Sequence, residues 1–407
     1  MLLTREIYLD QIRPFYESDL IKVITGVRRA GKSVLLSSIR NELLDRGIRE
    51  DHIVYINLED IDFEYIQDAS SLNSEIKSRL AGDGRHYVFL DEVQHVPRFE
   101  KALASLLATE NISIFATGSC STLLSGELAT LLTGRTVEFE ILPFSFYEVM
   151  LYFKLNGKEW DEETMFWNYL KYGGFPLRFD YKDETAILRY VSGLYQSIIS
   201  RDIIGKSVGY DKSRFRDIAL YILANAGKEL SVDNVVASYS KSGGRQVSPR
   251  TVYNYLDRMK KAFLIHGVGS YNLSGKAALR SREKQYAVDT GFRTVSTNTV
   301  NIETSFFLEN IVYNELLTRG FSVFTGRTYR GEIDFVAVKN GKKCFIQVAY
   351  VLANEETLER EFGAYRKIAD ASPKYVLSLD KPDLSRNGVA HLNLLDFLLR
   401  RKDLYLT

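Results

Sequence analysis

Gly26-Val27-Arg28-Arg29-Ala30-Gly31-Lys32-Ser33 is the stretch that decides the fold. It fits the pattern G-x-x-x-x-G-K-[S/T], and its setting matters as much as its letters. The run IKVIT before it is short, apolar and β-branched, and SVLLSSIRNELL after it carries apolar residues at helical spacing. Strand, glycine loop and helix together let backbone N–H groups converge on a phosphate, helped by the partial positive charge of the helix N-terminus. Gly26, Val27, Arg28, Arg29, Ala30, Gly31, Lys32, Ser33 and Val34 are therefore candidate contacts to a nucleotide. Lys32 suits the β- and γ-phosphates, and the Ser33 hydroxyl suits a Mg²⁺ ion. ATP and Mg²⁺ are the expected cofactors.

Working outward, Tyr87-Val88-Phe89-Leu90-Asp91-Glu92 is an apolar strand that delivers two carboxylates at its end, where ligands of an open α/β sheet bind. Asp91 is the candidate to share the Mg²⁺ shell with Ser33, and Glu92 to orient or deprotonate an attacking water. The run ISIFA ends in Thr117-Gly118-Ser119. Either hydroxyl suits the γ-phosphate or the water, and Thr117 joins Lys32 and Glu92 as a catalytic candidate. Asn57-Leu58-Glu59-Asp60 closes a further strand, where a supporting carboxylate or a plain helix cap is expected. The runs IKVITGV, HIVYINL, HYVFLDEV, ISIFATGS and RTVEFEIL alternate with helical stretches. That alternation predicts a parallel sheet with crossover helices, buried on both faces.

At roughly 150 residues per domain, the 407 residues predict two or three domains. Hydrophobic residues at 45% and charged residues at 26% exclude a disordered or fibrous chain. Lys plus Arg is 53 against 52 for Asp plus Glu, so nucleic-acid binding requires a local patch. Cys120 and Cys344 lie far apart in apolar runs, which excludes a zinc cluster or a disulfide framework. His52, His86, His95, His266 and His391 show no ligand spacing. No window is long and apolar enough for a membrane span, and the start MLLTREIYLDQIRPF lacks a signal-peptide core. A cytoplasmic protein with no membrane partner is expected.

Gly26 to Ser33, Asp91-Glu92, Thr117-Gly118-Ser119 and Leu142-Pro143-Phe144-Ser145-Phe146 together resemble a prokaryotic AAA-type P-loop ATPase joined to a C-terminal domain of unknown function. Gly173-Gly174-Phe175-Pro176, Tyr286-Ala287-Val288-Asp289-Thr290-Gly291 and Glu332-Ile333-Asp334-Phe335 match that family's pattern too, so the resemblance spans essentially the whole chain. It implies an α/β chain with a P-loop parallel sheet over residues 1–146 and a helical lid over 147–228. A winged-helix domain over 229–293 and a restriction-endonuclease-like α/β domain over 294–407, catalytically degenerate, follow from it. Thr133-Gly134-Arg135 resembles the family's Ser-Gly-Arg stretch, which makes Arg135 a candidate to stabilise phosphoryl charge in cis or across a subunit boundary. Gly174 and Pro176 resemble the element by which lids of signal-transducing ATPases meet the nucleotide base. A helix-ending turn that merely packs is the alternative.

Residues 241–284 hold ten basic side chains (Lys241, Arg245, Arg250, Arg258, Lys260, Lys261, Lys276, Arg280, Arg282, Lys284) against Asp257 and Glu283. Ser248-Pro249 opens a helix whose Val252, Leu256 and Met259 share one face. Arg250, Tyr253, Asn254 and Lys260 lie opposite, as on a recognition helix, with Lys276 to Lys284 as a wing. Duplex DNA held through its phosphates is one expected partner, and docking to a protein is the other. In the last region Glu309, Asp334 and Gln347 match the helix acid, the strand Asp and the Glu/Gln of restriction-type nucleases, but Ala349 stands where the lysine belongs. Lys342 and Lys343 precede that strand and would have to reach across to replace it. A degenerate second metal site without useful cleavage is expected. The whole predicts an ATP-hydrolysing switch coupled to its C-terminal region, with homo-oligomer formation open. An ATP-dependent DNA-processing nuclease and a non-hydrolysing ATP-binding scaffold are the alternatives.

Overall fold

The five apolar runs between residues 21 and 140 all become strands. The computed structural model describes residues 3–119, 132–204, 211–244, 246–272, 283–297, 304–328, 331–368 and 370–406. Two compact units divide it, one of residues 2–142 with 261–263 and the other of 143–260 with 264–407. In the first, β1 (Ile21–Thr25), β2 (Ile53–Asn57), β3 (His86–Asp91), β4 (Ile112–Thr117) and β5 (Thr136–Glu140) form one sheet in the order β2-β3-β4-β1-β5. Every neighbouring pair is parallel. The central strands β1, β3 and β4 are buried at every residue, whereas edge strand β2 alternates. That contrast is what a sheet covered on both faces produces.

Among the described residues, the helices of this unit are α1 (Glu6–Ile12), α2 (Lys32–Asp45), α3 (Ala69–Arg79) and α4 (Phe99–Thr109). Helices α3 and α4 bury Leu72, Ile76, Leu103 and Leu106 in one cluster with Val23, Ile56, Val88 and Ile114. Each such side chain contributes roughly 1.5–3 kcal/mol when removed from water. The alternate residues Phe89 and Phe115 point to the other face, stack 4.8 Å apart and receive Tyr16 edge-on. Helix α2 packs against β3 and β4 through Leu35, Leu36 and Ile39. Loops after β1, β3 and β4 thereby emerge side by side at one edge of the sheet.

The second unit begins with α5 (Phe146–Leu155), α6 (Glu162–Tyr172) and α7 (Glu184–Ser197), which runs into a π-helical turn over Ile198–Ile204. Ser145 and Glu148 form a capping box that fixes the start of α5. Next come α8 (Lys212–Ala224), α9 (Val232–Lys241) and α10 (Pro249–Lys261), then β6 (Ile265–Val268), β7 (Ser270–Asn272) and β8 (Lys284–Ala287). The remainder is α11 (Thr290–Thr297), α12 (Thr304–Thr318), β9 (Ser322–Thr328), β10 (Gly331–Lys339), β11 (Lys342–Val348), α13 (Glu355–Gly363), β12 (Lys374–Ser378), β13 (Ala390–Asn393) and α14 (Leu394–Leu398). Strands β6 and β8 pair antiparallel, while six strands form a mixed sheet in the order β13-β12-β11-β10-β9-β7. Asn340 and Gly341, both at positive φ, make the tight β10–β11 turn that this dipeptide favours.

One strand pairing lies outside the sequence expectations. Strand β7 leaves its neighbours β6 and β8 and joins β9, with Ser270 opposite Thr325. The stretches 229–293 and 294–407 therefore share one sheet, and residues 143–260 and 264–407 form one unit. Cys120, Arg245, Lys276, Arg280 and Arg282 lie outside the described residues. Among the described residues, no helix is long and apolar enough to cross a membrane.

Candidate functional site

The glycine loop leaves β1 at Gly26, whose φ of 134° belongs to glycine, and a Cβ there would lie 2.2 Å from the Ile141 carbonyl oxygen. Arg29 and Gly31 also take positive φ, and α2 starts immediately after, at Lys32. The first-turn N–H groups of a helix have no intrahelical partner, so this turn presents donors to an anion. Lys32 is buried, with Nζ donating to the carbonyls of Gly26 at 3.1 Å and Val27 at 3.3 Å. Ser33 is exposed beside it.

Strand β3 ends at Asp91, and Glu92 turns away in the left-handed region at φ 53°. Thr117, at the end of β4, ties the two together. Its hydroxyl donates to Asp91 Oδ1 and accepts the Glu92 N–H at 2.9 Å. Glu92 Oε1 lies 3.6 Å from Lys32 Nζ, and its Oε2 accepts from Ser119 at 3.1 Å and from Gln94. Burial pushes the Glu92 carboxyl upward, but Lys32, Gln94 and Ser119 outweigh it and hold the group below the usual range. Glu92 is thus a buried, ionised carboxylate. Gln94 escaped the sequence reading, since one amide in VQH carries no signal there. Glu59 pairs with Arg28 of the loop at 2.9 Å, while Asp60 caps the following turn through Asp62 N–H.

Arg135 stands apart from this group. Its carbonyl accepts the Ile21 N–H, and Thr136 pairs with Ile21 at the start of β1. The glycine loop lies at the other end of that strand, five residues and about 16 Å away at ~3.3 Å per residue. The side chain is exposed on that far edge, away from the glycine loop of the same chain.

Gly174 and Pro176 belong to the second unit. There Gly174 N–H donates to Asp289 Oδ2 at 2.6 Å, and its carbonyl accepts from Phe144 N–H at 2.8 Å. A Cβ on Gly173 would fall 1.6 Å from Asp289 Oδ1. Asp289 also receives the Gly291 N–H at 2.9 Å, and buried Arg178 donates to the Gly173 carbonyl at 2.5 Å. Burial pushes the Asp289 carboxyl up to about 6, against the pull of the two amides and Arg178. The stretches Gly173–Pro176 and Tyr286–Gly291 meet in the fold, and both polar backbone groups of Gly174 are committed to that packing.

Glu309, Asp334 and Gln347 are also brought together, with an addition. Gln347 Oε1 accepts Asp334 N–H at 2.7 Å, Asp334 Oδ2 accepts Val348 N–H at 2.8 Å, and Gln347 Nε2 donates to Glu361 at 3.1 Å. Lys284 of β8 enters this cluster, 2.7 Å from Glu332 and 3.4 Å from Glu309, with Tyr286 donating to Glu309 at 3.3 Å. Burial works against the Lys284 charge, but Glu309, Asp334 and Glu332 outweigh it and raise its pKa. Burial and mutual repulsion push Asp334 well above the carboxylate range, and burial raises Glu309. Lys343 instead pairs with Asp370 at 2.6 Å, Lys342 is exposed, and the Ala349 methyl packs with Phe345 and Val376. Among the described residues, no group of three or more His, Cys, Asp or Glu is arranged to hold a metal ion. The cation facing these carboxylates is Lys284. Its partners Glu309 and Glu332 lie far along the chain, so the local sequence around Lys284 carried no signal of the pairing.

On α10, Val252, Leu256 and Met259 are buried, and Ser248 caps the helix by accepting the Thr251 N–H at 3.2 Å. Arg250, Tyr253 and Asn254 are exposed, whereas Lys260 pairs with Glu283 and Arg258 donates to the Ile203 carbonyl at 2.9 Å.

A strand–loop–helix of this form, on a parallel sheet in which β1 sits beside β4, defines an α/β unit of the P-loop class. Residues 18–150 match the family model of the AAA domain, and residues 163–301 match that of a domain of unknown function (DUF8612). An uncharacterized protein of Haemophilus influenzae is 35% identical over 350 residues, 86% of this chain and 87% of its own length. An uncharacterized protein of Methanocaldococcus jannaschii is 34% identical over 363 residues, 85% of this chain and 78% of its own. The chain belongs to this family, in which an AAA domain is joined to that C-terminal domain. Its fold is similar to that of a Walker-type ATPase of Pyrococcus abyssi, with a TM-score of 0.52 at 16% identity over 72% of this chain and 96% of the other.

Proposed function

We propose that the chain is a Mg²⁺-dependent ATPase acting as a switch, with its output in the C-terminal part. The observation that carries this reading is the Thr117-bridged pair Asp91–Glu92 facing Lys32 at the carboxyl edge of the sheet. The donor set fits a nucleoside triphosphate with Mg²⁺. Free first-turn N–H groups and Lys32 suit the phosphates, and Ser33 and Asp91 are hard oxygen ligands for the ion. The ion would neutralise phosphate charge. Lys32 would exchange its contacts with the Gly26 and Val27 carbonyls for phosphate oxygens. Glu92, kept ionised, would orient the water and take its proton, while Ser119 and Gln94 hold the carboxylate in place. Thr117 serves as the hydroxyl that holds the Asp91 carboxylate and the Glu92 backbone N–H. Arg135 remains a candidate only across a subunit boundary, and mixing Arg135→Ala with Lys32→Ala protein should then restore part of the activity. Glu92→Gln tests the core of the reading. It should bind MgATP with normal affinity and lose turnover, and hydrolysis at the wild-type rate would remove Glu92 from the mechanism.

A second reading concerns α10, whose exposed Arg250, Tyr253 and Asn254 suit a DNA backbone. The order α9, α10, then paired β6 and β8 supports a winged helix, and α12 followed by β9, β10 and β11 supports a nuclease-like domain. We infer no DNA cleavage there, because Lys284 stands among the carboxylates that a metal would need and Ala349 offers only a methyl group where the lysine belongs.

A further inference from the structure

Arg5 is an ordinary surface type in the sequence, yet the fold buries it to 2% exposure. It precedes α1, and its Nη1 donates at 3.0 Å to the Ala30 carbonyl inside the glycine loop. The same nitrogen donates at 2.7 Å to the carbonyl of Leu142, just beyond β5. The guanidinium lies 4.5 Å over the Tyr8 ring, and the Tyr8 hydroxyl accepts the Leu142 N–H at 3.2 Å. Side chains at the start of the chain therefore hold both polar backbone groups of Leu142. The Ile141 carbonyl, meanwhile, closes the space above Gly26. One dipeptide, Ile141–Leu142, thus bounds the loop at its first residue directly and at its fifth through Arg5. Leu142 is also the last residue before the chain passes into the second unit.

The Ala30 carbonyl and the Gly31 N–H belong to one planar trans peptide and point in opposite directions. Fixing the carbonyl fixes the donor. We propose that Arg5 is a positioning residue for the phosphate loop: it orients the Ala30–Gly31 peptide so that Gly31 N–H faces the anion, and it transmits loop occupancy to Leu142. The inference rests on the reading that Gly26–Ser33 holds the nucleotide. A charged donor polarises the peptide it grips and loses little freedom in doing so, because its planar fork is stiff. Lysine keeps the charge without that fork.

The full-length chain, as wild type, Arg5→Ala, Arg5→Lys and Lys32→Ala, separates the possibilities. MgATP affinity would be read by calorimetry, kcat and KM by phosphate release, and amide exchange over residues 139–144 with and without MgADP. Arg5→Ala should weaken MgATP on the order of 10–100-fold, the scale of a lost charge-assisted hydrogen bond. The loss should fall on KM more than on kcat, since Glu92 and Thr117 are untouched, and Arg5→Lys should recover part of it. Nucleotide should slow exchange at residue 142 in wild type and not in Arg5→Ala. If Arg5→Ala does not fold, Arg5→Lys carries the test through a raised KM at unchanged melting temperature. Binding that Lys32→Ala abolishes but both folded Arg5 variants leave intact overturns the Arg5 assignment alone. No binding by wild type overturns the nucleotide reading itself.

Discussion

Lys32 and Lys284 each face a group of acidic side chains, and the two groups behave in opposite ways. Lys32 faces Glu92 while Asp91 is satisfied by Thr117, so the Glu92 carboxyl stays below its ordinary range. Lys284 faces Glu309 and Glu332, with Asp334 beside them, so acids outnumber the cation and burial drives Glu309 and Asp334 upward. The first lysine also holds two loop carbonyls that a phosphate can displace. The second is locked between carboxylates. A lysine among acids marks an anion site only when its other contacts are weak enough to exchange; otherwise it is a buried ion pair, costly to break and of little use for binding.

The sharpest way to break this contrast is to remove each lysine. Lys284→Ala leaves buried carboxylates unpaired and should cost about 3–5 kcal/mol of stability, seen as a lower midpoint in denaturant, with MgATP binding unchanged. Lys32→Ala should abolish ATP affinity by calorimetry and lower the midpoint less, because Glu92 keeps its hydrogen bonds from Ser119 and Gln94. Glu92→Gln should lower kcat on the order of 10²–10³-fold, the scale of one electrostatic group lost, measured by phosphate release.

The third test uses pH at Asp289. A carboxyl raised to about 6 binds its proton more tightly in the folded chain. Its contribution to stability is full below the unfolded pKa near 4 and is lost as pH rises through about 6. The difference in unfolding free energy between wild type and Asp289→Asn should therefore move against wild type by about 2–3 kcal/mol from pH 4 to 7. Glu92 must show the opposite sign, since its depressed carboxyl adds stability that fades as pH falls. A flat difference profile for Asp289→Asn would remove the carboxylate from that role. The smallest effect is expected on α10. Arg250→Glu with Lys261→Glu should weaken duplex DNA binding for any sequence and flatten its salt dependence, measured by anisotropy.

The nucleotide unit was legible because its chemistry follows its strands. The residue after an apolar strand in a parallel sheet lies on one edge, so Gly26, Asp91 and Thr117 could be placed together from order alone. The same rule, applied to a residue before a strand, puts Arg135 on the opposite edge, and that signal was present in the sequence. Arg5, Gln94 and Lys284 were not legible, since each acts through a partner fixed only by tertiary packing. Lys284 meets Glu309, 25 positions away, and Arg5 meets Leu142, 137 away. The pairing of β7 with β9 was hidden for the same reason. A three-residue strand has no pattern that names its neighbour.

The bond between Gly174 and Asp289 spans 115 residues, and that span sets a timetable for synthesis. At about 5–20 residues per second, the buried amide of Gly174 waits roughly 6–23 s for its acceptor to be made. Helices α5 to α8 must pass that interval on the ribosome with an unfilled polar slot at the turn after α6. The first 142 residues have already supplied all five strands of their own sheet by then. The nascent chain thus carries a nearly finished nucleotide unit ahead of a helical segment that still lacks its keystone. Any truncation before residue 289 removes the acceptor of the Gly174 N–H for good.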